Sequence, residues 1–243
     1  MVDFGFSSRF GGVSKAPFDT LNLGFHTGDA AAAVAKNREL LKREIKAGSL
    51  VFMEQIHSDY VLEVTSENLS NFAKTAPKCD ALFTRLFNVG LCVMVADCAP
   101  IIVSDEKQGI IAAIHAGRAG VCAKILSKCV AQMKSEPKDL KIIIGAHIKG
   151  SCYEIGDMNL GEFNAYKNGG FFDITAALRA EINALGATNY EISEICSHCD
   201  KNYFSYRRDG KTGRFAGWVI KRQKGKNGSK TSDDRRKWCK VWQ

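Results

Sequence analysis

Apolar residues recur along this chain with two different periods, and the switches between them mark its elements. VDFGFSS, residues 2–8, alternates apolar and polar positions as a strand with one solvated face does. SLVFMEQ (49–55), YVLEVT (60–65), DALFTR (80–85) and LCVMVA (91–96) are short apolar runs between polar clusters and read as further strands. GIIAAI (109–114) and KIIIGAH (141–147) are apolar enough to be strands buried on both faces. Three segments carry the helical period instead. AAAVAKNRELLKREIKA (31–47) has Asp29 placed to cap it and Gly48 just past its end, VCAKILSKCVAQMK (121–134) follows His115, and ITAALRAEINALG (174–186) closes on Gly186. RFGGVSKAPFDTLNLGFHTGD (9–29) has no period and is expected to form a long loop, of the kind that covers a functional pocket in a compact domain. Strands and helices alternate only in part. The expected fold is therefore α+β with mixed α/β layers: a single domain whose mixed β-sheet is covered by helices.

Composition narrows the functional classes. With 243 residues, 45% of them hydrophobic, the chain can bury a sizeable core as one domain. No apolar run reaches the roughly 18 residues that a membrane span needs. The start, MVDFGFSSRFGG, lacks the basic and apolar regions of a secretory signal, and nine cysteines at irregular spacing read as thiols in a reducing, cytoplasmic setting. A net charge of +8 raises the question of nucleic acid, but it is unevenly placed. Residues 221–243 hold nine Lys/Arg against two Asp, whereas residues 1–220 hold 25 basic and 24 acidic side chains. The expected division is a nearly neutral domain over 1–220, with no nucleic-acid partner, and a solvated basic tail over 221–243.

Three reactive side chains fall where strands give way to loops: His57 after SLVFMEQ, Cys98 after LCVMVA and His115 after GIIAAI. A sheet can hold such ends in fixed relation. One thiolate and two imidazoles together suit zinc and leave a fourth position for substrate or water, as catalytic sites do. The residues alone leave the ordinary alternative open, a packed thiol and two hydrogen-bonded histidines. Arg9 lies among glycines, where backbone N–H groups and a guanidinium could meet an anion. Asp97, next to Cys98, could orient a ligand, move a proton or simply make a turn. Cys152 could be a nucleophile, lie near the metal or be a packed thiol. Cys196 and Cys199 form a C-x-x-C pair without a second such pair to complete a structural zinc site, and His147 reads as a satisfied histidine at a strand end.

Nine segments appear in a characteristic order: SSRFGGVS, NLGFHTGD, Asn37-Arg38, QIHSDYV, CDALFT, ADCAPI, HAGRAG, SCYEIG and CSHCDKNYFSYRRDGKTGR. In this order and spacing the chain resembles the laccase-domain family over about residues 4–220. That family was first described as multicopper polyphenol oxidases and is now read mostly as zinc-dependent purine nucleoside phosphorylases, with some members called peptidoglycan editing factors. The resemblance implies a zinc ion held by His57, Cys98 and His115, with Cys98, His115 and Asp97 serving the chemistry and Arg9, Arg118 and Arg207 contacting substrate. It implies phosphorolysis of adenosine, inosine and methylthioadenosine by phosphate, and adenosine deamination by water. The family commonly has His-Ala-Gly-Trp-Arg-Gly where this chain reads His115-Ala116-Gly117-Arg118-Ala119-Gly120, so an aromatic is missing and the arginine stands one place earlier. Two other readings compete. Copper with phenol oxidation ranks below zinc, because multicopper chemistry consumes many histidines and the chain has five. Alternatively, Cys98 could be a nucleophile activated by His115 in a hydrolase trimming cell-wall peptides.

Overall fold

The apolar runs lie in strands covered on both sides. The computed structural model describes residues 1–223. In chain order its elements are β1 Val2–Phe6, α1 Ala31–Glu44, β2 Ser49–Phe52, β3 Val61–Val64, α2 Leu69–Lys74, β4 Ala81–Thr84, β5 Val89–Val95, β6 Ala99–Asp105 and β7 Ile110–Ala116. There follow α3 Arg118–Cys122, α4 Ile125–Met133, β8 Leu140–Ile144, β9 Lys167–Asn168, β10 Phe171–Phe172, α5 Ile174–Leu185, β11 Tyr190–Ile192, α6 Tyr206–Asp209 and β12 Phe215–Lys221. The fold is mixed α+β, as expected, but its strands divide between two large sheets and one small one. The first sheet has the order β1-β12-β5-β2, the second β11-β8-β6-β7-β4-β3, and β9 pairs with β10 alone.

Side-chain alternation explains the layering. In β5, Leu91, Val93 and Val95 face the second sheet and pack with Ile102, Ile111 and Ile143. Cys92 and Met94 face the other way, onto Leu41 and Ile45 around α1. In β7, Ile110, Ala112 and Ile114 meet Leu126, Val130, Leu178 and Ile182 of α4 and α5. The order of layers is therefore helix, sheet, sheet, helix. Strands with both faces buried in this way lose the polar alternation of a one-sided sheet, which is why LCVMVA and GIIAAI read as continuous apolar runs.

Several boundaries differ from expectation. The segment after His115 is two helices, because Lys124 adopts a left-handed backbone (φ 56°) between α3 and α4. Asp29 does not cap α1. Ala30 holds that position, and the Asp29 carboxylate instead accepts from the Ser14 hydroxyl at 2.6 Å and the Asn22 amide at 3.0 Å. Gly186 does end α5 in the left-handed region (φ 78°). Lys221 and Arg222 are part of the folded body: the Lys221 ammonium donates to the carbonyls of Arg85 and Gly109, and Arg222 pairs with Asp3 at 3.0 Å. The rest of the basic tail, beyond Gln223, lies outside the described residues. Among the described residues no helix is long and apolar enough to cross a membrane.

His147 is fully buried at the end of the β8 run. Its Nδ1 donates to the Gly145 carbonyl at 2.8 Å, and its Nε2 accepts from the Thr175 hydroxyl at 2.8 Å. Burial, with the Lys149 ammonium beside it, brings its pKa down to about 4, against 6.5 when exposed. The unfolded chain therefore binds the extra proton first, and this imidazole's contribution to stability is present above about pH 6.5 and is lost as pH falls towards 4. The full loss is on the order of 3 kcal/mol. Denaturant unfolding of the parent and of His147→Asn from pH 7 to 4.5 should show their stability gap narrowing. A gap that stays constant would mean His147 does not titrate in this range.

Candidate metal centre and active site

Cys98 lies in the crossover from the first sheet to the second, between β5 and β6. His115 is the next-to-last residue of β7, paired across the ladder with Pro100. β6 and β7 are antiparallel neighbours, so the start of one and the end of the other lie side by side. His57 comes in from the loop after β2, which Gln55 fastens to β5: its amide donates to the Met94 carbonyl at 2.7 Å and accepts from the Met94 N–H at 2.8 Å. The three side chains converge. Their ligand atoms all lie within 4.8 Å of one another, Cys98 Sγ is 4.0 Å from His57 Nε2, and the two imidazole rings meet edge-on. His115 is buried and His57 exposed, so the set opens to solvent on the His57 side.

Asp80, in the CDALFT segment, organises this centre, although the sequence reading assigned it no role. It is fully buried, and one oxygen bonds His115 Nδ1 at 2.7 Å. The carboxylate also accepts the N–H groups of His57 at 3.1 Å and Ser58 at 2.6 Å, and the Ser58 hydroxyl at 2.8 Å. It thus leaves His115 Nε2 free to face the centre and holds His57 in a left-handed conformation (φ 57°), which a residue with a side chain seldom adopts unaided. Although burial would raise its pKa, the bonds to His115 and Ser58 outweigh that and hold the Asp80 carboxyl low. The only legible sign was an Asp next to a Cys at the head of a strand.

Burial opposes ionisation of the Cys98 thiol, yet the adjoining imidazoles of His115 and His57 reverse the balance and bring it down to about 6. Burial likewise opposes charge on His115, and Cys98 and Asp80 together raise it to about 9. Each group therefore favours the charged form of the other. Gly117 leaves the space for this arrangement: a Cβ there would stand 3.0 Å from Cys98 Sγ and 3.2 Å from His57.

The other expected site residues divide into two groups. Arg118 begins α3 beside Gly117 and lies close enough to the Tyr153 hydroxyl to act on it electrostatically, and the Arg207 guanidinium lies 5.5 Å from the centre of the same ring. Burial, followed by the nearby Cys98, pushes the Tyr153 hydroxyl pKa up. The two arginines, Tyr153 and the thiol therefore share one rim. Asp97 takes a strained backbone (φ 102°), and its carboxylate turns away from that rim to accept the Ser197 hydroxyl at 2.8 Å and the Arg207 N–H at 2.6 Å. What Asp97 holds is the start of α6, and with it Arg207. Arg9 donates to the Asp19 carbonyl at 2.8 Å, pairs with the Asp19 carboxylate at 3.2 Å and stacks on Phe204.

The long loop carries His26 close enough to His57 for the two imidazoles to act on one another electrostatically. Buried Asn37 of α1 donates to the Ser14 hydroxyl and to the carbonyls of Thr20 and Asn22, drawing the loop inward. Arg38 stacks between Phe25 and Phe52, at 4.4 and 3.9 Å from their ring centres. His26, carried between these anchors, is kept neutral by burial and then by the charges of Arg214, Arg38 and His57.

Known proteins share both the chain and its architecture. The family described as multi-copper polyphenol oxidoreductase laccase matches residues 3–222. A purine nucleoside phosphorylase of Corynebacterium glutamicum is 37% identical over 88% of this chain and 92% of its own length. One from Streptomyces coelicolor is 33% identical over 89% of this chain and 94% of its own. The crystal structure of YlmD from Geobacillus stearothermophilus superposes with a TM-score of 0.84 at 28% identity, covering 91% of this chain and 92% of the other. With its motifs in order, its fold reproduced and the match running from the first strand to the last, the chain belongs to the multi-copper polyphenol oxidoreductase laccase family.

Proposed function

We propose that the protein is a zinc-dependent purine nucleoside phosphorylase, using phosphate to cleave adenosine, inosine and methylthioadenosine. The observation that carries this reading is the joining of His57, Cys98 and His115 on one rim with Arg118 and Arg207. The ligand set fits zinc in number, chemistry and spacing: a tetrahedral ion with one sulfur and two nitrogens places adjacent ligand atoms about 3.6 Å apart, close to the distance between Cys98 and His57. When bound, zinc supplies a fixed positive charge and Lewis acidity beside the nucleoside.

The remaining roles fall to the chain's own groups. Arg118 and Arg207 hold the phosphate dianion, with the Tyr153 hydroxyl between them, so that a phosphate oxygen faces the anomeric carbon of the ribose. That oxygen forms the new bond as the bond to the purine nitrogen breaks; its electron pair leaves with the base, which then takes up a proton. Exposed Phe25 offers the purine an apolar face, and His26, whose pKa is held down by burial, can accept a hydrogen bond from the base while the proton that the base takes up comes from solvent. With the base rather than the ribose turned to the metal, water could instead add at the purine carbon that bears the amine, and ammonia would leave to give inosine. This reading is tested by elemental analysis of protein purified without added metal, combined with phosphate-dependent assay of the three nucleosides. Stoichiometric zinc with phosphate-dependent release of free base is expected, and a tightly bound copper with phenol oxidation exceeding nucleoside turnover would replace it. Within the same assay, Arg118→Ala should raise the KM for phosphate about ten-fold or more while zinc content is retained.

One observation favours a second reading. A Cys98 thiol whose pKa is lowered by the His115 imidazole beside it is also what a cysteine hydrolase needs. A thiolate committed to a metal is a poor free nucleophile, so alkylation of metal-free and zinc-loaded protein separates the two.

A further inference from the structure

Outside the catalytic rim, β8 and β11 run parallel, so the loops at their C-terminal ends emerge together. A bridge between His147 and Cys196 extends that pairing, and beyond it the chain turns sharply, with the N–H groups of Cys199 and Asp200 donating to the Cys196 carbonyl at 3.2 and 2.9 Å. The other loop carries Cys152 on a short 3-10 turn, Gly150–Cys152. As a result, Cys152 Sγ lies 3.4 Å from Cys199 Sγ, and Cys199 Sγ lies 3.8 Å from His198 Nδ1. All three ligand atoms fall within 4.8 Å of one another. These separations are far above the roughly 2.05 Å of a disulfide and close to the approximately 3.8 Å between thiolates on a tetrahedral zinc. Cys196 Sγ, which accepts the Lys149 N–H at 3.4 Å, lies outside this close set but on the same turn, from which it would complete the set as a fourth donor once an ion draws the turn together. N–H groups aimed at the first sulfur of a C-x-x-C turn stabilise a thiolate ligand.

We propose that Cys152, Cys196, His198 and Cys199 form a second, structural zinc site. Its four donors are the thiolate and imidazole types that zinc takes in closed sites, and the thiols give up their protons to solvent as the ion binds. Its place in the fold also assigns it a task. Ser197, inside the turn, donates to Asp97, which in turn accepts the Arg207 N–H, and Arg208 donates to the carbonyls of Ser197 and His198. The ion would clamp the turn that keeps Asp97 and Arg207 in place beside Cys98.

Metal counting on the full chain, purified under reducing conditions, tests this without depending on the catalytic reading. About two zinc ions per chain are expected, with about one remaining in Cys98→Ala and about one in the double variant Cys152→Ser with Cys199→Ser. Cobalt provides a second measurement that needs no change at the new site. Cobalt-loaded Cys98→Ala protein should keep strong thiolate-to-cobalt absorption, since among the described residues the turn still brings thiols together with an imidazole. One metal per chain in the parent, together with loss of all such absorption in Cys98→Ala, would overturn the proposal. So would a Cys152–Cys199 disulfide found by mass spectrometry in protein lacking the second ion. If the double variant fails to fold, the parent's metal count and the cobalt spectrum still give the answer.

Discussion

Cys98→Ala, His57→Ala and His115→Ala should each lose zinc from the catalytic centre and phosphorolytic activity together, by about a thousand-fold in kcat/KM, equivalent to about 4 kcal/mol. The effect should be large because, on the proposed reading, three ligands share one ion, and removing any one leaves two, too few to hold zinc against free chelator. Dialysis against a chelator should reproduce the loss in the parent, and added zinc should restore it. The measurement is zinc content alongside nucleoside turnover on the same samples. A Cys98→Ala protein that loses turnover while keeping its full zinc, or a parent fully active after metal removal, would move Cys98 from ligand to nucleophile.

Asp80→Asn should be the most damaging change outside the ligands themselves. The amide keeps the shape but replaces one acceptor oxygen with a donor, in a place where His115, the N–H groups of His57 and Ser58 and the Ser58 hydroxyl all donate inward. At least one buried donor is left without a partner, at about 1–3 kcal/mol. Zinc affinity should fall about 10- to 100-fold, because His115 loses the charge that orients it and His57 loses the anchor for its left-handed backbone. Chelator competition measures the first effect and denaturant unfolding the second. Unchanged zinc affinity in a folded Asp80→Asn protein would show that the carboxylate serves the loop alone.

How far these features could be read in advance depended on whether each was local. The helices of α1 and α5 and most of the central strands follow from hydrophobic period and turn residues, because those signals act within a few positions. β6 was not anticipated, and the division of the segment after His115 into α3 and α4 rests on one left-handed residue, Lys124, whose conformation depends on packing. The long loop was recognised by its lack of period. Which of its residues comes near His57 was not, because that choice is made by buried Asn37 and stacked Arg38, both on α1. The expectation for Arg9 followed from glycines that permit an anion, but its guanidinium has a nearer partner in Asp19.

The sequence by itself determined the mixed α+β class, the cysteine and histidines at strand ends and the concentration of charge at the C-terminal end, since each depends on residue identity and short-range order. Only the tertiary structure decided that two sheets rather than one form the core, that Asp80 supports both His57 and His115, that Asp97 holds Arg207 and that Cys152 meets Cys199. Each of these joins residues distant in sequence through a crossover or a strand pairing. No local pattern encodes that proximity: it arises when buried strands fix one register and bring their ends to the same edge.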